Sequence, residues 1–127
     1  MSNPEKNKHN PIYSTLLSFK YAFNGIHLLM ATQRNARIHL EATVLVVFVG
    51  FYFSISVTEW VAVIIAIGIV FAAEAFNTAI EQLVDMVSPE FNKPAGRIKD
   101  LTAGAVLITA IAAAITGIII FAPKIFS

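Results

Sequence analysis

Three long stretches of this chain carry almost no charge, and they restrict the possible fold more than any other feature. The stretches are 42–58, 60–84 and 101–123, and only Glu74 and Glu81 interrupt the second one. A helix rises about 1.5 Å per residue, so about 20 apolar residues cross a hydrocarbon core of about 30 Å. The chain is therefore predicted to be an all-α membrane protein with three transmembrane helices, near 38–56, 59–85 and 100–122.

The composition of the chain supports this class and excludes several others. Of the 127 residues, 57% are hydrophobic and 13% are charged, whereas an average soluble domain has about 25% charged residues. Because the chain has no cysteine, thiolate catalysis, zinc–thiolate sites and iron–sulfur clusters are excluded. A net charge of +1 gives no reason to expect a nucleic-acid partner.

The N-terminal part is predicted to contain a helix that does not cross the membrane. Residues 1–11 form a polar tail without the apolar core of a signal peptide. In residues 12–31, apolar side chains recur at helical spacing and predict an amphipathic helix, on Ile12, Leu16, Phe19, Phe23, Ile26 and Met30. Such a helix lies either in the membrane interface or against the other helices, and the pattern fits both positions. Residues 12–127 are expected to form a single domain.

The basic residues predict the orientation of the chain in the membrane. All of them except Lys124 precede the first predicted span or lie between the second and third spans. Because basic residues concentrate on the cytoplasmic side, the N-terminus is expected in the cytoplasm. The chain is thus predicted to be a multi-pass protein of the inner (plasma) membrane.

A stripe of polar residues near the end of the second apolar stretch is the most informative part of the sequence. Asn77, Glu81 and Asp85 follow Glu74 by three, seven and eleven residues, which places all four within about 60° on one helix face. A carboxylate at membrane depth costs about 2.5–3.5 kcal/mol on insertion scales, so Glu74 must face protein, water or a cation. Three helices can hardly enclose such a stripe, and an oligomer is expected. The alternative is a polar network with a purely structural role.

The segment after the stripe combines carboxylates with basic residues where the third span is predicted to start. Ser88-Pro89 is expected to end the second span, and residues 94–96 are expected to lie in the connection. The polar residues of this segment are Glu90, Asn92, Lys93, Arg97, Lys99 and Asp100. Mg²⁺ prefers carboxylate and phosphate oxygens, and helix N-termini favour anions, so a magnesium and phosphate site is expected here. No Walker lysine loop and no GxGxxG pattern occurs, which excludes the designs of soluble nucleotide-binding proteins.

Several other residues are assigned structural roles. Glu59, a single carboxylate at a predicted interface, is expected to be solvated, and Trp60 is expected to anchor the helix at that interface. His27 and His39 are expected to be interfacial polar residues rather than ligands.

The polar stripe also carries a resemblance to a known family. The segment Glu74-Ala-Phe-Asn77-Thr-Ala-Ile-Glu81-Gln-Leu-Val-Asp85, followed by Gly96-Arg97-Ile-Lys99-Asp100, resembles the bacterial diacylglycerol kinase and undecaprenol kinase family. The upstream segments around Tyr21 and Arg37 are similar to the N-terminal signature of that family. The resemblance implies a surface helix with three spanning helices, assembled as a homotrimer whose active sites are shared between subunits.

The resemblance also implies an activity and a set of site residues. Such enzymes transfer the γ-phosphate of ATP, with Mg²⁺, to a membrane lipid alcohol: diacylglycerol gives phosphatidic acid, and undecaprenol gives undecaprenyl phosphate. Glu74 then matches the general base, Asn77 a polar residue beside it, and Glu81 a magnesium ligand. The positions that match the ATP site are Tyr21, Asp85, Glu90, Asn92, Lys99 and Asp100. The positions near the lipid entry point are Asn35 and Arg37.

Two positions depart from the family pattern. Gln33 occupies the position of a second magnesium-binding glutamate, and an amide oxygen can coordinate Mg²⁺ but supplies no negative charge. Asn92 replaces a histidine found in some members, which affects the expected contact with the adenine base.

A second class of function fits the residues themselves. A small proton-coupled transporter or ion-conducting subunit could use Glu74 as its intramembrane carboxylate. However, apart from Glu59 at the outer interface, no charged residue lies in the outer half of any predicted span, whereas carboxylates and Lys99 cluster at the cytoplasmic mouth. This distribution favours the kinase.

Overall fold

The structure, a computed structural model, describes residues 10–127. It is all-helical over this range, as predicted, with four helices: α1 (Pro11–Thr32), α2 (Arg34–Tyr52), α3 (Val57–Val87) and α4 (Lys93–Ile125). Most of the predicted polar tail lies in residues 1–9, outside the described residues. The chain divides at Gln33 into two compact units, one containing α1 and one containing α2 to α4.

Helix α1 agrees with the predicted range 12–31 to within one residue at each end. It starts where Asn10 accepts hydrogen bonds from the backbone N–H groups of Ile12 and Tyr13, at 3.1 and 3.2 Å. Pro11 occupies the first helical position, where its missing N–H costs nothing. This local sequence explains why the helix begins at residue 11.

In the second unit, α3 is the central helix. It packs along α4 and more briefly against α2, while α2 and α4 do not approach each other closely within the described residues. The main apolar core consists of Ile55, Val63, Ile120 and Phe121, and lies near the turn that joins α2 and α3. We call this end of the unit the turn end.

Residue Glu59, at the turn end, has more contacts than predicted. Ser56 and Glu59 form a capping box: the Ser56 hydroxyl accepts from the Glu59 backbone N–H at 3.2 Å, and the Ser56 backbone N–H donates to Glu59 Oε1 at 2.9 Å. The other oxygen, Oε2, accepts from Lys124 Nζ at 2.9 Å. The expectation of a merely solvated carboxylate was therefore wrong, because this residue starts α3 and connects it to the end of α4.

The start of α4 also differs from the prediction. The helix begins at Lys93, so residues 94–96 form its first turn instead of a connecting loop. Asn92 caps it by accepting from the Ala95 backbone N–H at 2.9 Å, and Pro94 is tolerated because the first turn has no partners for its N–H groups. The predicted break at Ser88-Pro89 is confirmed, since α3 ends at Val87.

Two of the described helices, α3 and α4, are long and apolar enough to cross a membrane. Only 22% and 11% of their most apolar segments are buried in the structure, whereas the core helix of a soluble protein would be mostly buried. Together with the large apolar side chains exposed along both helices, this surface indicates a membrane protein. Helix α2 does not meet the same criterion, and the third span stays a prediction.

Candidate functional site

The buried face of α3 changes from apolar to polar along its length. Val63 and Val70 are buried, and the next positions on the same face are Glu74, Asn77 and Thr78. Residues 63, 70, 77 and 84 are seven apart, as are residues 74 and 81, and a seven-residue step returns nearly to the same side of a helix. We call residues 63, 70, 74, 77, 78, 81 and 84 the α3 seam. The register that packs the apolar core therefore also turns Glu74, Asn77 and Glu81 of the polar stripe inward, whereas Asp85 stays exposed.

Glu74 is the most deeply buried large side chain of the described residues, with 2% of its surface exposed. Its Oε1 lies 3.2 Å from Nε2 of His39 on α2. The His39 side chain is 25% exposed, and its ring meets the edge of the Phe71 ring at a centroid distance of 6.4 Å. A buried carboxylate requires such a donor, because an unpaired charge away from water is costly.

This contact was missed by the sequence-based interpretation, which assigned His39 only an interfacial role. The short turn between α2 and α3 makes the two helices antiparallel, so polar residues early in α2 lie beside those late in α3. His39 is the polar residue of α2 that the register brings to Glu74. The antiparallel arrangement was the available signal, but it does not fix how far α2 slides along α3 and so does not single out His39.

One helical turn beyond Glu74, the seam holds two polar atoms without partners. Asn77 donates from Nδ2 to Glu81 Oε1 at 3.3 Å, while its own Oδ1 is buried and has no hydrogen-bond partner. The Thr78 hydroxyl is likewise buried without a partner. Buried polar atoms are normally paired, so unpartnered oxygens next to a carboxylate indicate a place for a donor or a cation.

The oxygens around Glu81 are suited to magnesium. Mg²⁺ commonly takes one or two carboxylates and completes its shell with waters and substrate phosphates, and Glu81 with the Asn77 amide oxygen offers such a start. Gln33 is the N-cap residue of α2; it lies about 9 Å before His39 along α2, and Glu81 lies about 10 Å beyond Glu74 along α3. Because His39 contacts Glu74 and the two helices are antiparallel, Gln33 and Glu81 lie at a similar level along the helices. The described residues contain no group of three or more acidic or histidine side chains placed to hold a metal.

An ion pair joins the end of α3 to the start of α4. Lys99 Nζ donates to Asp85 Oδ1 at 2.6 Å, and the side chains are 39% and 63% exposed, respectively. Exposed ion pairs contribute about 0–1 kcal/mol, so a ligand can replace this one at little cost. Asp100 follows directly and is exposed.

The loop between α3 and α4 places Glu90 and Asn92 close together. Asn92 donates from Nδ2 to the Ser88 hydroxyl and, at 3.4 Å, to the backbone oxygen of Glu90. The Asn92 side chain is thus engaged as the cap of α4 and as a brace of the loop. The Glu90 side chain is exposed.

The remaining predicted positions lie on two different helices. Asn35 and Arg37 are exposed in the first turn of α2, and Asn35 is one turn before His39 on the same helix face. Tyr21 lies on α1, in the other unit. The structure thus brings together His39 with Glu74, Asn77 with Glu81, and Asp85 with Lys99.

An apolar cleft of about 110 Å³ begins at His39 and runs toward the turn end between α2, α3 and α4. Small side chains keep it open, including Ala66 on α3 and Ala113 and Gly117 on α4. The cleft exists because α2 and α4 do not meet. Its apolar lining suits a hydrocarbon group rather than a polar ligand.

Comparison with known proteins identifies the family. The sequence model of the family described as prokaryotic diacylglycerol kinase matches residues 20–121. The undecaprenol kinase of Bacillus subtilis (strain 168) is 36% identical, over 94% of this chain and 98% of that protein. The diacylglycerol kinase of Synechocystis sp. is 35% identical, over 96% of this chain and 70% of that protein.

A more distant relative, the diacylglycerol kinase of Escherichia coli (strain K12), is 30% identical over 76% of this chain and 79% of that protein. The resemblance noted in the polar stripe, and the assignment to a family of lipid kinases, are therefore confirmed. By its family model and its relatives, this chain belongs to the prokaryotic diacylglycerol kinase family.

Proposed function

We propose that this protein transfers the γ-phosphate of ATP, with Mg²⁺, to the hydroxyl group of a membrane lipid alcohol. The observation that carries the proposal is Glu74: a carboxylate with 2% exposure where an apolar seam becomes polar. The named relatives act on undecaprenol or diacylglycerol, and a hydroxyl on an apolar body is common to both. Family membership favours this activity over a transporter.

Glu74 is the proposed general base. The lipid oxygen forms a bond to the γ-phosphorus, the bond from that phosphorus to the β–γ bridging oxygen breaks, and ADP leaves. The hydroxyl proton passes to the Glu74 carboxylate. The apolar cleft that begins at His39 supports this role, because it offers a place for hydrocarbon next to the residue that binds the carboxylate.

Glu81 is the proposed magnesium ligand, with the amide oxygens of Asn77 and Gln33 as further donors. When bound, Mg²⁺ neutralises phosphate charge, which is the main requirement of phosphoryl transfer. The Asn77 side chain holds Glu81 at 3.3 Å and so fixes the carboxylate at this position. Because Gln33 is uncharged, the site has less negative charge than one with two glutamates.

Lys99 and Asp100 are the proposed contacts to the ATP phosphates. Lys99 exchanges its exposed partner Asp85 for phosphate oxygens, and the start of α4 favours negative charge. The outer part of the nucleotide is assigned to Asp85, Glu90 and Asn92 and, from α1, to Tyr21. Asn35 and Arg37 are assigned to the lipid entry point.

We further propose that α2 is a third span and that three copies assemble with shared sites. A cytoplasmic position of these ends in a plasma-membrane protein is supported by the basic residues near the start of α2, Arg34 and Arg37, and by those around the α3–α4 connection. The unpartnered buried oxygens of Asn77 and Thr78 support a site that ligand or another copy completes.

The decisive experiment measures transfer from γ-labelled ATP in mixed micelles that contain either diacylglycerol or undecaprenol. Label is expected in one lipid product. In Glu74→Gln the rate of transfer is expected to fall by about 100-fold or more, because the general base is lost. Glu59→Gln makes the same chemical change at the turn end of the same helix and is expected to keep the activity. Label in neither lipid, from folded protein at several Mg²⁺ concentrations, would refute the proposal.

A further inference from the structure

The carboxylate of Glu74 depends on a single side chain. Among the described residues, His39 is its only hydrogen-bond partner, through Nε2 to Oε1 at 3.2 Å. Within the described part of the chain, Oε2 of Glu74 has no protein partner. The two oxygens of this buried group are therefore not equivalent.

The geometry of this contact limits how Glu74 can turn. A hydrogen bond to one oxygen fixes the rotation of the carboxylate about its last side-chain bond, which is otherwise broad. With Oε1 held by His39, Oε2 is the oxygen available to a hydroxyl group. A bond between an imidazole donor and a carboxylate also compensates the negative charge in this dry position.

His39 is itself held in place. The Phe71 ring on α3 meets the imidazole nearly at right angles, with an interplanar angle of 78°. Its backbone oxygen accepts from the Thr43 hydroxyl at 2.7 Å, one turn further along α2. Since α2 carries the ring and Phe71 on α3 packs against it, its orientation follows from the packing of the two helices.

We propose that His39 is a positioning residue for Glu74: it binds Oε1 so that Oε2 meets the hydroxyl of the lipid. This role rests on the proposed lipid kinase activity. It assigns a function to a residue that the sequence pattern left as an interfacial histidine. The hydrogen bond to Oε1 must come from a donor as far from the backbone as Nε2, because Nδ1, the ring nitrogen nearer the backbone, does not contact Glu74.

Two amide substitutions separate the effect of the donor's distance from the backbone from the effect of its polarity. In His39→Gln the amide nitrogen has the same number of bonds from the backbone as Nε2, whereas in His39→Asn it is one bond shorter and corresponds to Nδ1. His39→Asn is expected to lower kcat by about 10–100-fold, as the loss of an orienting partner typically does, with KM for lipid and ATP unchanged within about twofold. His39→Gln is expected to recover most of kcat.

Thr109→Val is the control for the loss of a half-buried hydroxyl. It removes a hydroxyl that donates to the Val106 backbone oxygen within α4, outside the cleft at His39, while keeping the side-chain volume, and kcat is expected to stay within about twofold. Equal losses in the Gln and Asn variants, or a loss that appears in KM alone, would contradict positioning.

A spectroscopic measurement tests the contact without catalysis. In protein labelled with ¹⁵N-histidine, the Nε2 signal of His39, identified by its loss in His39→Gln, should shift in Glu74→Gln, while the other histidine signals stay in place. An unchanged His39 signal would overturn the proposal. If the wild-type protein transferred phosphate to no lipid, the proposed function would fail even with the spectroscopic contact confirmed. An active wild-type protein with undiminished kcat in His39→Asn would refute the positioning role alone.

Discussion

Gly50 is the position where a single added methyl group should test the packing of the turn end. It is buried on α2, and a Cβ atom built there would lie 2.7 Å from Cη2 of Trp60, 3.0 Å from Cζ2 and 3.3 Å from the Ile55 side chain. Carbon atoms in normal contact are about 3.5–4.0 Å apart. Gly50→Ala therefore requires the indole ring or the helix to move by about 1 Å.

The cost of this movement can be bounded. Overpacking a core costs about 1–3 kcal/mol, and Trp60 is only partly buried, so its ring can yield on its exposed side. The lower half of that range, about 1–2 kcal/mol, is expected. Alanine gains about 0.5–1 kcal/mol of helix propensity over glycine in water. In a micelle, however, the helices remain formed in both the folded and the unfolded protein. The propensity gain therefore does not offset the clash.

Equilibrium unfolding in mixed dodecylmaltoside–SDS micelles measures this difference, and Trp60, the only tryptophan of the chain, reports it by fluorescence. Gly25→Ala is the control, because nothing beyond the local helix backbone lies within 4 Å of a Cβ atom built at that position, and its free energy of unfolding should hardly change. In a Trp60→Phe background, followed by circular dichroism, Gly50→Ala should cost less by about 1 kcal/mol, since the clashing ring atoms are gone. A Gly50→Ala protein as stable as wild type would refute the close packing of α2 on Trp60.

Two predictions concern the binding of magnesium and ATP. Gln33→Glu adds a second carboxylate near the level of Glu81 and should lower the Mg²⁺ concentration for half-maximal phosphate transfer several-fold. Glu81→Gln should raise that concentration by about 10-fold or more. A magnesium titration that leaves both variants at the wild-type midpoint would contradict the assignment. Lys99→Met should raise KM for ATP by about 10-fold through the loss of a charge-assisted contact, yet change the free energy of unfolding by less than about 1 kcal/mol because its ion pair with Asp85 is exposed. A larger loss of stability would show that Lys99 has a structural role and would contradict this prediction.

The fold was largely predictable because its strongest signals are local. Apolar stretches of sufficient length predicted the helices, and Ser88-Pro89 predicted the end of α3 at Val87. The start of α4 was misplaced by several residues because Pro94 was interpreted as a breaker, although a capping Asn92 makes it a normal first-turn residue. The structural role of Glu59 was missed since one of its two partners, Lys124, comes from the far end of the sequence.

The site was predictable along α3 and unpredictable across helices. The spacing of Glu74, Asn77 and Glu81 fixes a common face without any knowledge of neighbours. The partner of Glu74 depends on how far α2 slides along α3, and no pattern in either helix alone determines that register. His39 was therefore assigned a generic role although it makes the 3.2 Å contact.

The α3 seam links the stability of the fold to the placement of the site. Val63 and Val70 bury their side chains on the face that, at the same seven-residue step, carries Asn77 inward, with Glu74 and Glu81 beside it. Inserting one residue between Val70 and Glu74 would rotate the polar stripe by about 100° relative to the core. The carboxylates would then face the exposed surface of the helix at a cost of about 2.5–3.5 kcal/mol for a charge at membrane depth. The apolar half of the helix thus holds the polar half at the angle that the proposed chemistry needs, and core substitutions that turn α3 should lower lipid kinase activity before they unfold the protein.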